Sequence, residues 1–198
     1  MKIILATHNI DKCKELQKSL NNPSIDIVTL KAYPTIGEIV EDGQTLTENA
    51  FIKSRTVFKL TNIPTISDDT GLFVDALGGK PGIYSARYAG ENSTYLDNVN
   101  KLLYDMSNIK KSLRSATFKT VVTYVSKDLE LVAEGSVKGF ITEKPKGENG
   151  FGYDSIFNVE ELNKTFAEMT MNEKKSISHR ARAINSLISL LNSHNLFN

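Results

Sequence analysis

The sequence predicts an α/β protein, on three observations. A short apolar run at residues 2–6 reads as a buried strand. Residues 10–20 carry apolar side chains at helical spacing, and residues 25–30 alternate as a second strand. Strand, helix and strand in that order form a βαβ opening.

The elements follow in turn. Thr7-His8-Asn9 interrupts the first strand, and the helix over 10–20 puts Cys13, Leu16 and Leu20 on one face with lysines opposite. Asn21-Asn22-Pro23 ends that helix. Residues 32–43 read as an acidic loop with Glu38, Glu41 and Asp42. Thr45-Leu46-Thr47-Glu48 fits a capping box and opens a helix over 45–62. A strand at 65–67 follows Pro64, with Asp68-Asp69-Thr70-Gly71 expected at its C-terminal end. The Gly-rich stretch Gly78-Gly79-Lys80-Pro81-Gly82 precedes a helix over 93–106. Two long β segments, 115–126 and 129–139, flank Lys127-Asp128 and predict a hairpin. Residues 141–154 are broken by Pro145, Gly147, Gly150 and Gly152. A helix over 178–193 closes the chain, apolar at Ala183, Leu187, Leu190 and Leu191.

Composition narrows the function. The chain has 198 residues, 40% hydrophobic and 24% charged, which fits one globular domain and excludes a wholly disordered one. Its single cysteine, Cys13, can form neither an internal disulfide nor a Cys-rich zinc site. That usage fits a reducing compartment. Basic residues number 24 against 23 acidic, so a basic footprint for nucleic acid over the whole surface is not expected. The first apolar run is too short for a signal-peptide core, and no stretch reaches the ~18 apolar residues of a membrane span. A cytoplasmic protein is expected.

Four stretches carry candidate chemistry. Thr7-His8-Asn9-Ile10-Asp11-Lys12 joins a buried strand to a helix N-terminus, which suits a phosphate, although every α/β protein has such turns. It lacks the glycines of a P-loop. In Asp68-Asp69, neighbours along an extended chain point to opposite faces, so one carboxylate can face a ligand while the other anchors the loop. Carboxylates bind Mg²⁺ through oxygen, usually one or two of them together with substrate phosphates. Gly147-Glu148-Asn149-Gly150-Phe151-Gly152-Tyr153-Asp154 joins backbone freedom to two aromatics and a carboxylate. That combination suits a flat ring, and equally a hairpin whose aromatics enter the core. Lys174-Lys175-Ser176-Ile177-Ser178-His179-Arg180 is expected to crowd positive charge at the start of the last helix, where the macrodipole disfavours it unless an anion compensates. Carboxylates, a divalent cation, cations and aromatics together describe a nucleoside polyphosphate site. No nucleophile elbow supports a Ser–His–Asp triad.

These motifs resemble one family over nearly the whole chain. Thr7-His8-Asn9-Ile10-Asp11-Lys12 is similar to its T-x-N-x-x-K signature. Ser67-Asp68-Asp69-Thr70-Gly71-Leu72, Asp75-Ala76-Leu77-Gly78-Gly79 and Pro81-Gly82-Ile83-Tyr84-Ser85-Ala86-Arg87-Tyr88 match it almost residue for residue. Phe151-Gly152-Tyr153-Asp154 and Ser178-His179-Arg180 do the same. The family is that of the inosine/xanthosine triphosphate pyrophosphatases. Three departures stand out: His8 where many members have Gly, Thr70 in place of a common Ser, and Asp42 beside Glu41 in a variable loop.

The resemblance implies one domain over residues 1–198, with two lobes around a long mixed, twisted β-sheet flanked by helices and an active-site cleft between the lobes. It implies a cytoplasmic homodimer that uses Mg²⁺ to cleave non-standard purine nucleoside triphosphates (ITP, dITP, XTP) to a monophosphate and pyrophosphate. Carried over by motif, Thr7, Asn9 and Lys12 hold phosphates, with His8, Ile10 and Asp11 in the same loop and Lys53 near them. Glu41 and Asp69 hold the metal, Asp69 is the general base, and Thr70 contacts substrate. Phe151 stacks on the base, with Gly152, Tyr153 and Asp154 nearby. Lys174, His179 and Arg180 reach the base and its 6-keto oxygen. The rival readings are a Maf-like pyrimidine nucleotide pyrophosphatase and a non-catalytic nucleotide sensor.

Overall fold

The computed structural model of the chain describes residues 1–20 and 22–196. β1 (Lys2–Leu5) and β2 (Asp26–Thr29) run parallel, from Lys2 opposite Asp26 to Leu5 opposite Thr29, and α1 (Ile10–Ser19) connects them. α2 (Leu46–Thr61) leads into β3 (Thr65–Val74), which pairs in parallel with β1. β4 (Pro81–Gly82) returns antiparallel on β3, and α3 (Tyr95–Asp105) follows. The long β5 (Ser115–Val125) and β6 (Glu130–Ile141) precede the short β7 (Phe157–Val159) and β8 (Lys164–Thr165). α4 (Met171–Ile177) and α5 (His179–Ser193) close the chain. The eight strands form one mixed, open sheet in the order β2-β1-β3-β5-β6-β7-β8, with β4 beside β3.

The chain forms two compact units. The first comprises Met1–Asp69, Thr120–Gly135 and α5, and the second comprises Thr70–Lys119 and Ser136–Ser178. In the first, one core packs Ile3 and Leu5 of β1 with Leu16, Ile66, Tyr124, Ile184 and Leu187, and another packs Ile4 and Ala6 with Leu30 and Val57. Neighbouring residues of β1 thus feed opposite faces, which is why this strand reads as a continuous apolar run. In the second unit Leu72, Leu102, Phe118, Phe157 and Phe166 form the centre of a separate core. β6 alternates strictly from Ala133 to Gly139, burying Ala133, Gly135, Val137 and Gly139 and exposing Glu134, Ser136 and Lys138. Gly135 has a steric reason to be glycine. A Cβ there would lie 2.2 Å from the His179 carbonyl oxygen and 2.3 Å from the Ala183 nitrogen, so α5 seats directly on the strand backbone.

Several expectations are corrected. Asp68 and Asp69 do not end their strand: β3 continues to Val74, because β4 supplies a partner at Leu72 and Phe73. β4, β7 and β8 are too short to give a period of two. The basic run does not open the last helix. Thr170 and Glu173 form a capping box that starts α4, and Ser178 at φ −65°, ψ 154° breaks the chain before α5. Lys174 and Lys175 therefore sit in the last turn of α4, where the helix dipole favours cations. Thr45 does cap Glu48 N, but Glu48 Oε2 accepts from Gln44 N rather than closing the box on Thr45. Asn21, read as part of a helix stop, lies outside the described residues.

Candidate active site

The loop after β1 is held by its own side chains. Asn9 caps α1, its Oδ1 accepting from Asp11 N at 3.0 Å and Lys12 N at 3.1 Å, while Asn9 N donates to Thr7 Oγ1 at 3.2 Å. The Asp11 and Lys12 N–H groups of this helix end are therefore already bonded, so an anion here would meet the helix dipole and the Lys12 ammonium, itself 3.3 Å from Asp68 Oδ2. His8 is exposed, and its Nε2 meets the Gly37 carbonyl at 3.1 Å, tying this loop to the acidic one. Ile10 is exposed, and Asp11 faces Lys14 at 3.4 Å.

Asp68 and Asp69 face different partners, as alternation along a strand requires. Asp68 is fully buried; Lys12 Nζ of α1 lies 3.3 Å from its Oδ2, and Arg180 Nε of α5 donates to the same oxygen at 3.1 Å. Arg180 is itself buried and donates from Nη1 to Glu15 Oε2. Burial alone would raise the Asp68 carboxyl, but Lys12, Arg180 and Lys53 outweigh it and hold the group well below the usual carboxylate range.

Asp69 turns toward α2. Asn49 and Lys53 stand four residues apart on one helix face, and both reach it: Nδ2 to Oδ2 at 3.3 Å and Nζ to Oδ1 at 3.3 Å. Lys53 Nζ also donates to Glu41 Oε2 at 2.7 Å, so one ammonium joins the two carboxylates named as metal ligands. Burial would lower Lys53; Asp69 first and Glu41 second reverse this and raise it. Asn49 Oδ1 accepts from Gly43 N at 2.9 Å, which fixes the end of the acidic loop.

The second unit gathers the aromatic candidates. Asp154 Oδ2 accepts from Phe151 N at 2.8 Å and from Lys174 Nζ at 2.6 Å. Gly150 adopts φ 78°, and a Cβ on it would sit 2.1 Å from the same Oδ2, so the turn closes only on glycine. Phe151 is half-buried; Lys174 Nζ lies 4.9 Å from its ring centre and the Tyr95 ring 5.7 Å away. Tyr153 is buried and donates to the Ser85 carbonyl at 2.9 Å, and Gly152 adopts φ 59°. Burial pushes the Tyr153 phenol up. Tyr153 and Asp154 thus brace the turn, and Phe151 is the ring left partly open.

The predicted residues fall into three sets: Lys12 with Arg180 on Asp68, Lys53 with Glu41 and Asp69, and Phe151 with Tyr153, Asp154 and Lys174. His179 is buried at the start of α5 and Thr70 half-buried in β3. Sequence reasoning missed Asn49 and Glu15. Asn49 was legible as the residue one turn before Lys53; Glu15 had no signal, since its partner Arg180 is 165 positions away. A groove of about 490 Å³ lined by Lys111, Ser115, Lys138, Phe140 and Glu160 holds none of these residues. Among the described residues, no three His, Cys, Asp or Glu side chains form a cation cage, and no helix is long and apolar enough to cross a membrane.

Comparison with known proteins adds to this geometry. A dITP/XTP pyrophosphatase of Thermoanaerobacter is 46% identical over 187 residues, covering 94% of each chain. The dITP/XTP pyrophosphatase of Bacillus subtilis is 44% identical over 189 residues, covering 95% of this chain and 96% of that one. The solved structure of the Staphylococcus aureus Ham1 protein superposes with a TM-score of 0.88 at 39% identity, over 98% of this chain and 100% of the other. Residues 3–190 match the Ham1 family itself, and the chain belongs to that family.

Proposed function

We propose that this chain hydrolyses the non-standard purine nucleoside triphosphates ITP, dITP and XTP to nucleoside monophosphate and pyrophosphate, keeping these bases out of DNA and RNA. Relatives named dITP/XTP pyrophosphatase support the substrate class. The observation that carries the reading is the split of Asp68 and Asp69: one carboxylate buried under two cations, its neighbour presented beside Lys53, Asn49 and Glu41. A pure binding protein needs no general base, the role that the second carboxylate is placed to fill. Asp69 is the general base. It takes a proton from the water that attacks the α-phosphorus as the bond to the bridging oxygen breaks and pyrophosphate leaves.

Lys12 and Lys53 neutralise phosphate charge, with Thr7, His8, Asn9, Ile10 and Asp11 lining the same loop. Glu41 and Asp69 are a pair of hard oxygen donors, which suits Mg²⁺ shared with substrate phosphates. When bound, Mg²⁺ supplies further neutralisation of the triphosphate. Phe151 stacks on the base, backed by Gly152, Tyr153, Asp154 and Lys174; Thr70, His179 and Arg180 complete the set, with Arg180 acting through Asp68 as well. A single functional domain, a homodimer and a cytoplasmic place of action belong to the same proposal.

Pyrophosphate release from ITP, XTP, GTP, ATP and dTTP with Mg²⁺, alongside Asp69→Asn, tests it. Turnover of ITP and XTP alone, reduced at least ~10²-fold in the variant, is expected. Preference for dTTP would favour a Maf-like activity. Binding of ITP with no turnover would leave a sensor.

A further inference from the structure

The seat of α2 on the sheet is polar where it passes Asp69. Ser54 of α2, Ser67 of β3 and Thr123 of β5 are all fully buried. Ser54 Oγ and Ser67 Oγ each lie 2.9 Å from Thr123 Oγ1. All three hydroxyls also converge on one acceptor, the Ala50 carbonyl of α2, at 3.1 Å from Ser54, 2.5 Å from Ser67 and 3.2 Å from Thr123. Each hydroxyl has a single proton to donate. Ser67 can give its proton to Ala50, Ser54 can give its own to Ala50 or to the Phe51 carbonyl at 3.3 Å, and Thr123 can give its own to either serine, so each hydroxyl has an acceptor within the protein.

Position makes this network relevant to catalysis. Ala50 follows Asn49 directly and stands one turn before Lys53, the two α2 residues on Asp69. Ser67 precedes Asp69 by two residues and so shares its strand face. Aliphatic packing is non-directional and tolerates sliding, whereas hydrogen bonds impose distance and angle. Two strands therefore triangulate one point on the helix backbone. The contacts that this point controls are both 3.3 Å long, and a slide of about 1 Å would take them out of hydrogen-bonding range.

We infer that Ser54, Ser67 and Thr123 are positioning residues that set the register of α2 on β3 and thereby hold Lys53 and Asn49 on Asp69. The inference rests on reading Asp69 as catalytic. Thr123→Val keeps the shape and removes the hydroxyl, and Thr123→Ser restores it. Thr123→Val should lower kcat on ITP about 10-fold with KM almost unchanged, since ångström-scale misplacement costs rate. Thr123→Ser should recover most of that rate.

The second readout needs no activity. Thr123 bonds Ser54, Ser67 and the Ala50 carbonyl, whereas Asn49 bonds Gly43 N and Asp69, so independent roles would make their effects on urea unfolding additive. Coupling through the seat of α2 should make Thr123→Val and Asn49→Ala non-additive by about 3-fold or more in the unfolding constant. An unchanged kcat per folded molecule in Thr123→Val, or additive unfolding, overturns the positioning role. Ser67→Ala repeats both measurements if Thr123→Val does not fold. If the wild-type chain turns over no nucleotide, the catalytic reading falls and the unfolding cycle alone decides the register claim.

Discussion

Arg180 Nε donates to Asp68 Oδ2 at 3.1 Å, joining the start of the last helix to the middle of β3 across 112 positions. With Lys12 on the same oxygen, the pair makes Asp68 a buried anion surrounded by cations. Its carboxyl is held well below the usual range, so the unfolded chain takes up a proton before the folded one does. The stabilisation is fully present above the unfolded value of about 4 and is lost as pH falls from there toward the folded value. Through that window it declines by about 1.4 kcal/mol per pH unit. Asp68→Asn leaves the buried Arg180 and the half-buried Lys12 against a neutral amide and should cost about 3–5 kcal/mol at pH 7. The gap should narrow below pH 4, because the variant lacks that part of the acid slope. Urea unfolding of both proteins at pH 7, 4 and 3 measures it; parallel curves would mean that Asp68 titrates normally.

Arg180→Lys keeps the charge but not the fork. Arg180 bonds Asp68 through Nε and Glu15 through another nitrogen, and a single ammonium cannot reproduce that spacing. Losing one buried charge-assisted bond should destabilise the protein by about 1.5–3 kcal/mol. If Arg180 serves substrate only through Asp68, KM for ITP should rise little in this variant. A large rise in KM with unchanged stability would return Arg180 to direct contact with the base.

How much of this was legible follows from distance along the chain. Asp68 and Asp69 were readable as two roles because period-two alternation is local, and Asn49 with Lys53 because four residues make one helical turn. The partners of Asp68 were not, since Lys12 and Arg180, with Glu15 behind Arg180, come from helices far from it along the chain. The extension of β3 was hidden because β4 is two residues long. The start of α4, by contrast, is written locally. Thr170-Met171-Asn172-Glu173 is a capping signal that starts α4 and so puts Lys174 near a helix C-terminus rather than an N-terminus.

Gly150→Ala tests the proposed base-binding role of this turn without touching an aromatic. A methyl group there meets Asp154 Oδ2 at 2.1 Å with φ at 78°, so the carboxylate must leave Phe151 N or Lys174. The expected result is a rise in KM for ITP of about 10-fold, comparable with Phe151→Ala, and little change in the hydrolysis rate at saturation. Equal losses in kcat and kcat/KM would instead show that the turn acts on the transition state.

Lys53→Met separates charge from shape, since methionine fills a similar volume with no ammonium. Lys53 is buried, and its Nζ is the group that Glu41 and Asp69 share. Its removal leaves those two carboxylates to repel each other with no protein cation between them. Two consequences oppose one another. The paired carboxylates should hold a divalent cation more tightly, because no internal ammonium competes for the same oxygens. The triphosphate should lose a stabilising charge where negative charge builds up, at a cost of about 10²–10³-fold in kcat. The variant should therefore reach half-maximal rate at lower Mg²⁺ while turning over far more slowly. If its Mg²⁺ requirement rises instead, Lys53 organises the metal site rather than competing with it.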